Sequence, residues 1–226
     1  MHRSEGVGPR SARILTELLV VVVAVLLALA ADRWNQARSE RALEVAYLER
    51  FAEEIHADST SAAQYLERRP SIIAGIDTLI AFVDGADAPP NLVATLNSVS
   101  SELSLPAPVA WTEIQATNSL AVISDPDIRA ALTGYYATRE RLQLMWRRQD
   151  SRARDPLWDQ LYGLGIFDPK SDFEAPPRAG LEEFRSWPGM RRLLVALGTG
   201  HYFQENNAER TLQAAHVALT TLRGRS

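Results

Sequence analysis

The sequence predicts an all-α protein: an N-terminal transmembrane helix continuing into a long kinked helix that packs in an antiparallel helical bundle. Three observations carry that expectation. The run from Ile14 to Ala31 is apolar apart from Thr16 and Glu17. Beyond it, apolar residues recur every three or four positions, the period of one helix face, and no segment shows the sustained alternation of a strand. The 46% apolar and 23% charged residues are the balance of a folded chain.

These features divide the chain into a basic tail over residues 1–13, a transmembrane helix over 14–31 and a helical bundle domain over 32–226. The eighteen residues from Ile14 to Ala31 would rise about 27 Å, close to the roughly 30 Å hydrocarbon layer of a bilayer. Glu17 lies one turn inside the start and Trp34 just past the end, where an interfacial carboxylate and an aromatic anchor belong. A cleavable secretory signal is the rival reading, because Arg3, Arg10 and Arg13 precede the run and Ala28-Leu29-Ala30 resembles a cleavage site. Against it, no Gly or Pro breaks the helix before those alanines, and strong helix formers follow. Arg33, Arg38 and Arg41 balance the three N-terminal arginines. The orientation expected is a short inner tail with the bundle on the periplasmic side of a bacterial inner membrane. Ala24 and Ala28 are spaced to pack two spans together, but such pairs are so common in spans that lipid-facing filler is the better reading.

After the span, Leu48, Phe51, Ile55, Ala62 and Leu66 line one helical face, and the same register continues past Pro70 through Ile73, Ile76, Ile80 and Val83. A phase that survives a proline predicts one kinked helix rather than a hairpin, ending at Asp84-Gly85. A helix over about Asn91–Glu102 follows, then a brief one over Trp111–Thr117. Ser124-Asp125-Pro126-Asp127 combines an N-cap, a first-turn proline and an acid, and predicts a long helix to about Arg154. Asp155-Pro156 repeats the start signal for a short helix ending at Gly163, Gly165–Gly180 reads as loop, and the last helix spans about Pro188–Arg223.

The stretch Glu17–Asp58 and the stretch Trp111–Tyr136 resemble a family of uncharacterised bacterial single-span membrane-anchored α-helical proteins. The features that carry the resemblance are Glu17, Trp34, Tyr47-Leu48, Trp111-Thr112, Asp125 and Tyr135-Tyr136, in that order. The resemblance covers about a third of the chain and implies a membrane-tethered helical protein; it implies no reaction or ligand.

The chemistry legible in the residues is sparse. With no cysteine there is neither thiolate nucleophile nor cysteine-held zinc, and a net charge of −4 creates no field that would gather nucleic acid. Glu53 and His56 form half of a di-iron ligand motif, but Gly198 and Gln213 stand where carboxylates would have to precede His201 and His216. No metal or cofactor is expected. Arg139, Arg141, Arg147, Arg148, Arg152 and Arg154 suggest a basic helix face, most simply a solvated one. Gly163-Leu164-Gly165 and Gly198-Thr199-Gly200 lack the remaining spacing of a phosphate loop and read as hinges.

The unusual positions are His201 and Gln204 on the apolar stripe of the last helix. With Arg69 and Arg139 on neighbouring stripes they form a candidate ligand-binding set, to be weighed against a satisfied structural hydrogen-bond cluster. The expected function is a membrane-anchored, non-enzymatic interaction or scaffold module whose partners are the lipid bilayer and a second copy or another membrane protein. The alternative is an extracytoplasmic small-ligand-binding or sensor-like bundle acting through a partner.

Overall fold

The computed structural model describes residues 9–117, 119–164 and 181–224, all in helices, turns or irregular segments with no strand among them. The expected loop Gly165–Gly180 and most of the basic tail lie outside the described residues. The chain divides into two compact units, Met1–Glu49 and Arg50–Ser226.

In the first unit the backbone is the opening part of α1, Pro9–Val83. Its large apolar side chains from Leu18 to Leu29 are between 46 and 65% exposed. Among the described residues no helix is long and apolar enough to cross a membrane. The uninterrupted apolar side chains described, Leu18–Ala31, rise about 21 Å, short of the roughly 30 Å a span needs. The side chains of Ile14–Thr16, which the sequence reading adds, fall outside the described residues.

The second unit is a helical bundle. α1 continues unbroken through Pro70, so that proline stands inside a helix rather than at a turn. The helix ends where Asp84-Gly85 predicts. Gly85 takes φ 117°, and Gly85 N–H and Ala86 N–H donate to the carbonyls of Phe82 and Ala81 at 3.1 and 2.9 Å. Those two bonds make a Schellman cap, and they need a residue that tolerates positive φ.

There follow α2 (Leu92–Val99), α3 (Val109–Ala116), a 3-10 turn over Ser119–Val122, α4 (Pro126–Gly163), α5 (Leu181–Ser186) and α6 (Met190–Arg223). Asn91 caps α2 by accepting Ala94 N–H at 2.8 Å, and Asp125 caps α4 by accepting Asp127 N–H at 2.8 Å. α2 stops at Val99 and not near Glu102, because Ser100 already closes it with bonds to Leu96 and Ser98.

Further expectations about boundaries are corrected. Asp155-Pro156 starts no new helix, since Pro156 lies inside α4. An interior proline costs about 3 kcal/mol, while the buried Leu157 and Leu161 that follow return roughly 1.5–3 kcal/mol each. α5 was not expected; its buried Phe184 stacks on Phe82 with ring centroids 6.0 Å apart. Gly198 and Gly200 lie within continuous α6 and not at a hinge.

Helix directions also differ from a simple antiparallel arrangement. Tyr65 and Asp84 on α1 meet His201 and Arg191 on α6 in reverse order, so α6 is antiparallel to α1. Ala130 and Leu142 of α4 share cavities with Val217 and Asn207 of α6, so α4 is antiparallel to α6 and, because α6 is antiparallel to α1, parallel to α1. Parallel neighbours require a chain that travels back between them. That return consists of α2, the irregular Ser100–Pro108 and α3.

The core joins Tyr65, Ile76, Leu79 and Phe82 of α1 with Leu96 and Val99 of α2, Leu157 and Leu161 of α4, Phe184 of α5 and Leu194 and Leu197 of α6. Along α1 the expected Phe51, Ile55, Ala62 and Ile76 are buried, while at the other positions of the stripe the buried residue is the one before. Tyr47, Tyr65, Ile72, Leu79 and Phe82 are buried where Leu48, Leu66, Ile73, Ile80 and Val83 were expected, and the latter flank the face. The buried Phe51, Asp58, Tyr65, Ile72 and Leu79 lie at strict seven-residue steps, the repeat of a helix that supercoils with its neighbours, whereas the stripe read from sequence slips one residue later after Ala62.

Gly75 lets α2 approach α1, because a Cβ there would lie 2.8 Å from Val99 Cγ1, whereas a Cβ on Gly200 would meet nothing within 4 Å. Gly200→Ala is therefore expected to stabilise the protein by about 0.5–1 kcal/mol, and Gly75→Ala to destabilise it despite the same gain in helix propensity. Urea unfolding midpoints of the two variants check this difference in sign.

Candidate functional site

The return segment places an irregular stretch of backbone inside the bundle, where its polar groups have no helix partners of their own. Buried side chains from three helices take them up in sequence. His201 Nε2 lies 2.8 Å from the carbonyl of Val99. Gln204 Oε1 accepts the N–H of Leu103 at 2.9 Å. Arg139 Nη2 donates to the carbonyl of Pro106, and Glu54 Oε1 accepts the N–H of Ala110.

His201 is 2% exposed, and its tautomer follows from its neighbours. A carbonyl only accepts, so Nε2 carries the proton; Nδ1 is then the acceptor for the Tyr65 hydroxyl at 2.9 Å. The Tyr65 ring also stacks on the imidazole at 15°. Burial pushes the Tyr65 phenol well above its ordinary value near 10, which suits a hydroxyl held as a donor.

Arg139 belongs to a different cluster. Its guanidinium meets Asp58 through Nε at 2.6 Å, and both side chains are 4% exposed. The same Asp58 oxygen accepts Tyr135 hydroxyl at 2.7 Å. Next to it, Tyr136 donates to Glu54 at 2.7 Å while the other Glu54 oxygen caps the start of α3. That long-range cap supplies what Pro108 cannot, since the α3 N-cap makes no side-chain hydrogen bond. Trp111 stacks on Tyr136 at 4.4 Å, and Phe51 meets both rings edge-on. Burial, followed by the Asp58 and Glu54 carboxylates, holds the Tyr135 and Tyr136 phenols far above their ordinary value.

The four candidate ligand residues therefore fall into separate places. His201 and Gln204 stand one turn apart on α6, each against the return segment. Arg139 lies with Asp58 on a cavity of about 210 Å³ that Glu53 and Pro106 also line. Arg69 is bound to Glu205 at 2.8 Å, with its Nε buried and unpartnered.

The basic face expected on α4 changes as well. Arg139 points inward, Arg141 and Arg147 are exposed, and the side chains of Arg148, Arg152 and Arg154 lie outside the described residues. Glu53 and His56 are both exposed, and among the described residues no group of three or more His, Cys, Asp or Glu could hold a metal ion.

Sequence reasoning missed Asp58, Tyr65 and Glu54. The signal for the first was present as a gap: the stripe steps from Ile55 to Ala62, and Asp58 occupies the missing position. Comparisons with protein-family models, with curated proteins and with solved structures find no match. The resemblance drawn from the sequence thus rests on its quoted residues alone. Of these, the structure brings together Trp111 and Tyr135-Tyr136 around Glu54.

Removing one member of the Asp58–Arg139 pair leaves a buried charge unmatched. Asp58→Asn and Arg139→Met should each cost about 3–5 kcal/mol, with the double variant costing clearly less than their sum. Urea denaturation of the four proteins completes the cycle.

The tyrosines predict an alkaline limit. A phenol whose folded pKa is raised keeps its proton longer in the folded state. Its stabilising contribution is complete below the unfolded value near 10 and is lost as pH rises above it. Stability measured from pH 8 to 12 should therefore fall steeply beyond about pH 10. Tyr136→Phe should make that fall shallower.

Proposed function

We propose that the chain is a bilayer-anchored, non-enzymatic helical module, tethered by its first helix and presenting the second unit as an interaction surface. The supporting observation is the exposure of Leu18–Leu29. A helix apolar on every side is stable only inside a protein core or in lipid, and these side chains are exposed. With Ile14 and Leu15 counted from the sequence, the run reaches eighteen residues, about 27 Å, enough for a thin or locally adjusted bilayer.

The residues after the run suit the membrane surface. Trp34 is 69% exposed, and Arg38 lies over its ring at 6.0 Å, an aromatic and a cation side by side at the expected depth of the headgroups. The tether is a single-pass anchor in a bacterial inner membrane, with the bundle on the periplasmic side. The partner is a second copy or another membrane protein, and nucleic acid is not among the partners.

A non-enzymatic role is supported by how the buried polar groups are employed. His201, Gln204, Asp58 and Arg139 are occupied with one another's helices and with the return segment, in bonds that serve packing. Activity by these groups would require breaking the contacts that hold the return segment.

Membrane fractionation of intact cells, alkaline carbonate extraction and N-terminal mass analysis test the reading together. Full-length protein should stay with the membrane after carbonate and be digested by protease added to spheroplasts. A trimmed soluble form starting near Ala31 would refute the anchor.

A further inference from the structure

One turn beyond Gln204, α6 presents Asn207 and Thr211, which are 7% and 2% exposed. They face a cavity of about 170 Å³ whose other walls include Leu103 of the return segment and Leu142, Gln143 and Trp146 of α4. The neighbouring polar residues of this α6 face are engaged: His201 meets Val99, and Gln204 meets Leu103. Thr211 spends its hydroxyl proton on the Asn207 carbonyl at 2.8 Å.

The Trp146 indole is not engaged in this way. Its Nε1 is buried and has no hydrogen-bond partner. The Asn207 side chain, nearly buried, lines the same cavity. A buried donor is rarely left so, and the Trp146 N–H calls for an occupant. Gln143 is steadied by Arg139, whose Nη1 lies 3.5 Å from its Oε1.

Charge narrows the choice of occupant. Among the described residues of the lining the one formally charged side chain is the exposed Arg147, and none is a carboxylate. A site with an unpartnered indole N–H, a carboxamide, a cation and leucine walls selects an anion with an apolar body. At about 30 Å³ per water the space holds roughly six waters, or an organic molecule of similar atom count.

We propose that this cavity binds a short-chain monocarboxylate of roughly five to seven heavy atoms. Its carboxylate takes the Trp146 indole N–H and the Asn207 carboxamide, with Arg147 closing the mouth, and its aliphatic tail lies against Leu103 and Leu142. The site is independent of the membrane tether, and occupancy would couple α4 and α6 to the return segment that Gln204 holds.

The test is calorimetric titration of the full-length protein in lipid nanodiscs with sodium isobutyrate at neutral pH. Isobutyramide serves as the uncharged isostere, and sodium chloride at matched ionic strength as the control. Saturable one-to-one binding of isobutyrate is expected, about tenfold or more tighter than the amide. Trp146→Phe, which keeps the ring and removes the donor, should weaken it about tenfold. Arg147→Gln, a change at an exposed position, should weaken it as well. Circular dichroism and unfolding midpoints confirm that both variants fold.

The proposal is overturned if propionate, isobutyrate and isovalerate all fail to saturate the folded wild type, the cavity then holding water only. It is equally overturned if the amide binds as tightly as the carboxylate, or if both folded variants bind isobutyrate with undiminished affinity.

Discussion

The bundle depends on one constraint: a chain that runs two long helices parallel must return between them, and the return is too short to be helical throughout. From Ser100 to Pro108 the backbone is irregular yet lies against buried groups, so each N–H and carbonyl that loses water needs a side chain. His201, Gln204, Arg139 and Glu54 supply those partners at Val99, Leu103, Pro106 and Ala110, along the length of the segment. The polar residues of the core are the price of the topology.

This explains why α6 carries a polar stripe where a bundle helix would normally carry leucine. A neutral hydrogen bond contributes only about 0.5–1.5 kcal/mol net, less than a buried leucine side chain. An unsatisfied buried amide costs about 1–3 kcal/mol, and several in a row would cancel much of a domain's stability. Against that penalty, histidine and glutamine at these positions outperform leucine. The Asp58–Arg139 pair follows the same logic at higher stakes, because the guanidinium both neutralises a buried carboxylate and reaches the Pro106 carbonyl.

The two units answer to different solvents in the proposed reading. In the second, polar groups are inside and matched; in the first, apolar groups are outside and exposed. Such an inversion is costly in water and natural in lipid. The aromatic cluster of Phe51, Trp111 and Tyr136 fastens the start of α3 to α1 and so closes the return at its far end.

Periodicity and punctuation alone determined much of the secondary structure. Asn91 and Asp125 began helices because their side chains cap local N–H groups, and Gly85 ended one because positive φ is a property of the residue itself. The stripe of α1 crossed Pro70 for an equally local reason, a phase carried by neighbouring residues. Tertiary structure decided the rest. Pro156 was tolerated because distant core contacts held Leu157 and Leu161, and Asp58 and Tyr65 counted as core only once Arg139 and His201 stood opposite them. The identity of His201 and Gln204 as unusual was visible in one helix, but their partners were backbone atoms about a hundred residues away. No pattern within a helix encodes which carbonyl or amide will be brought to it.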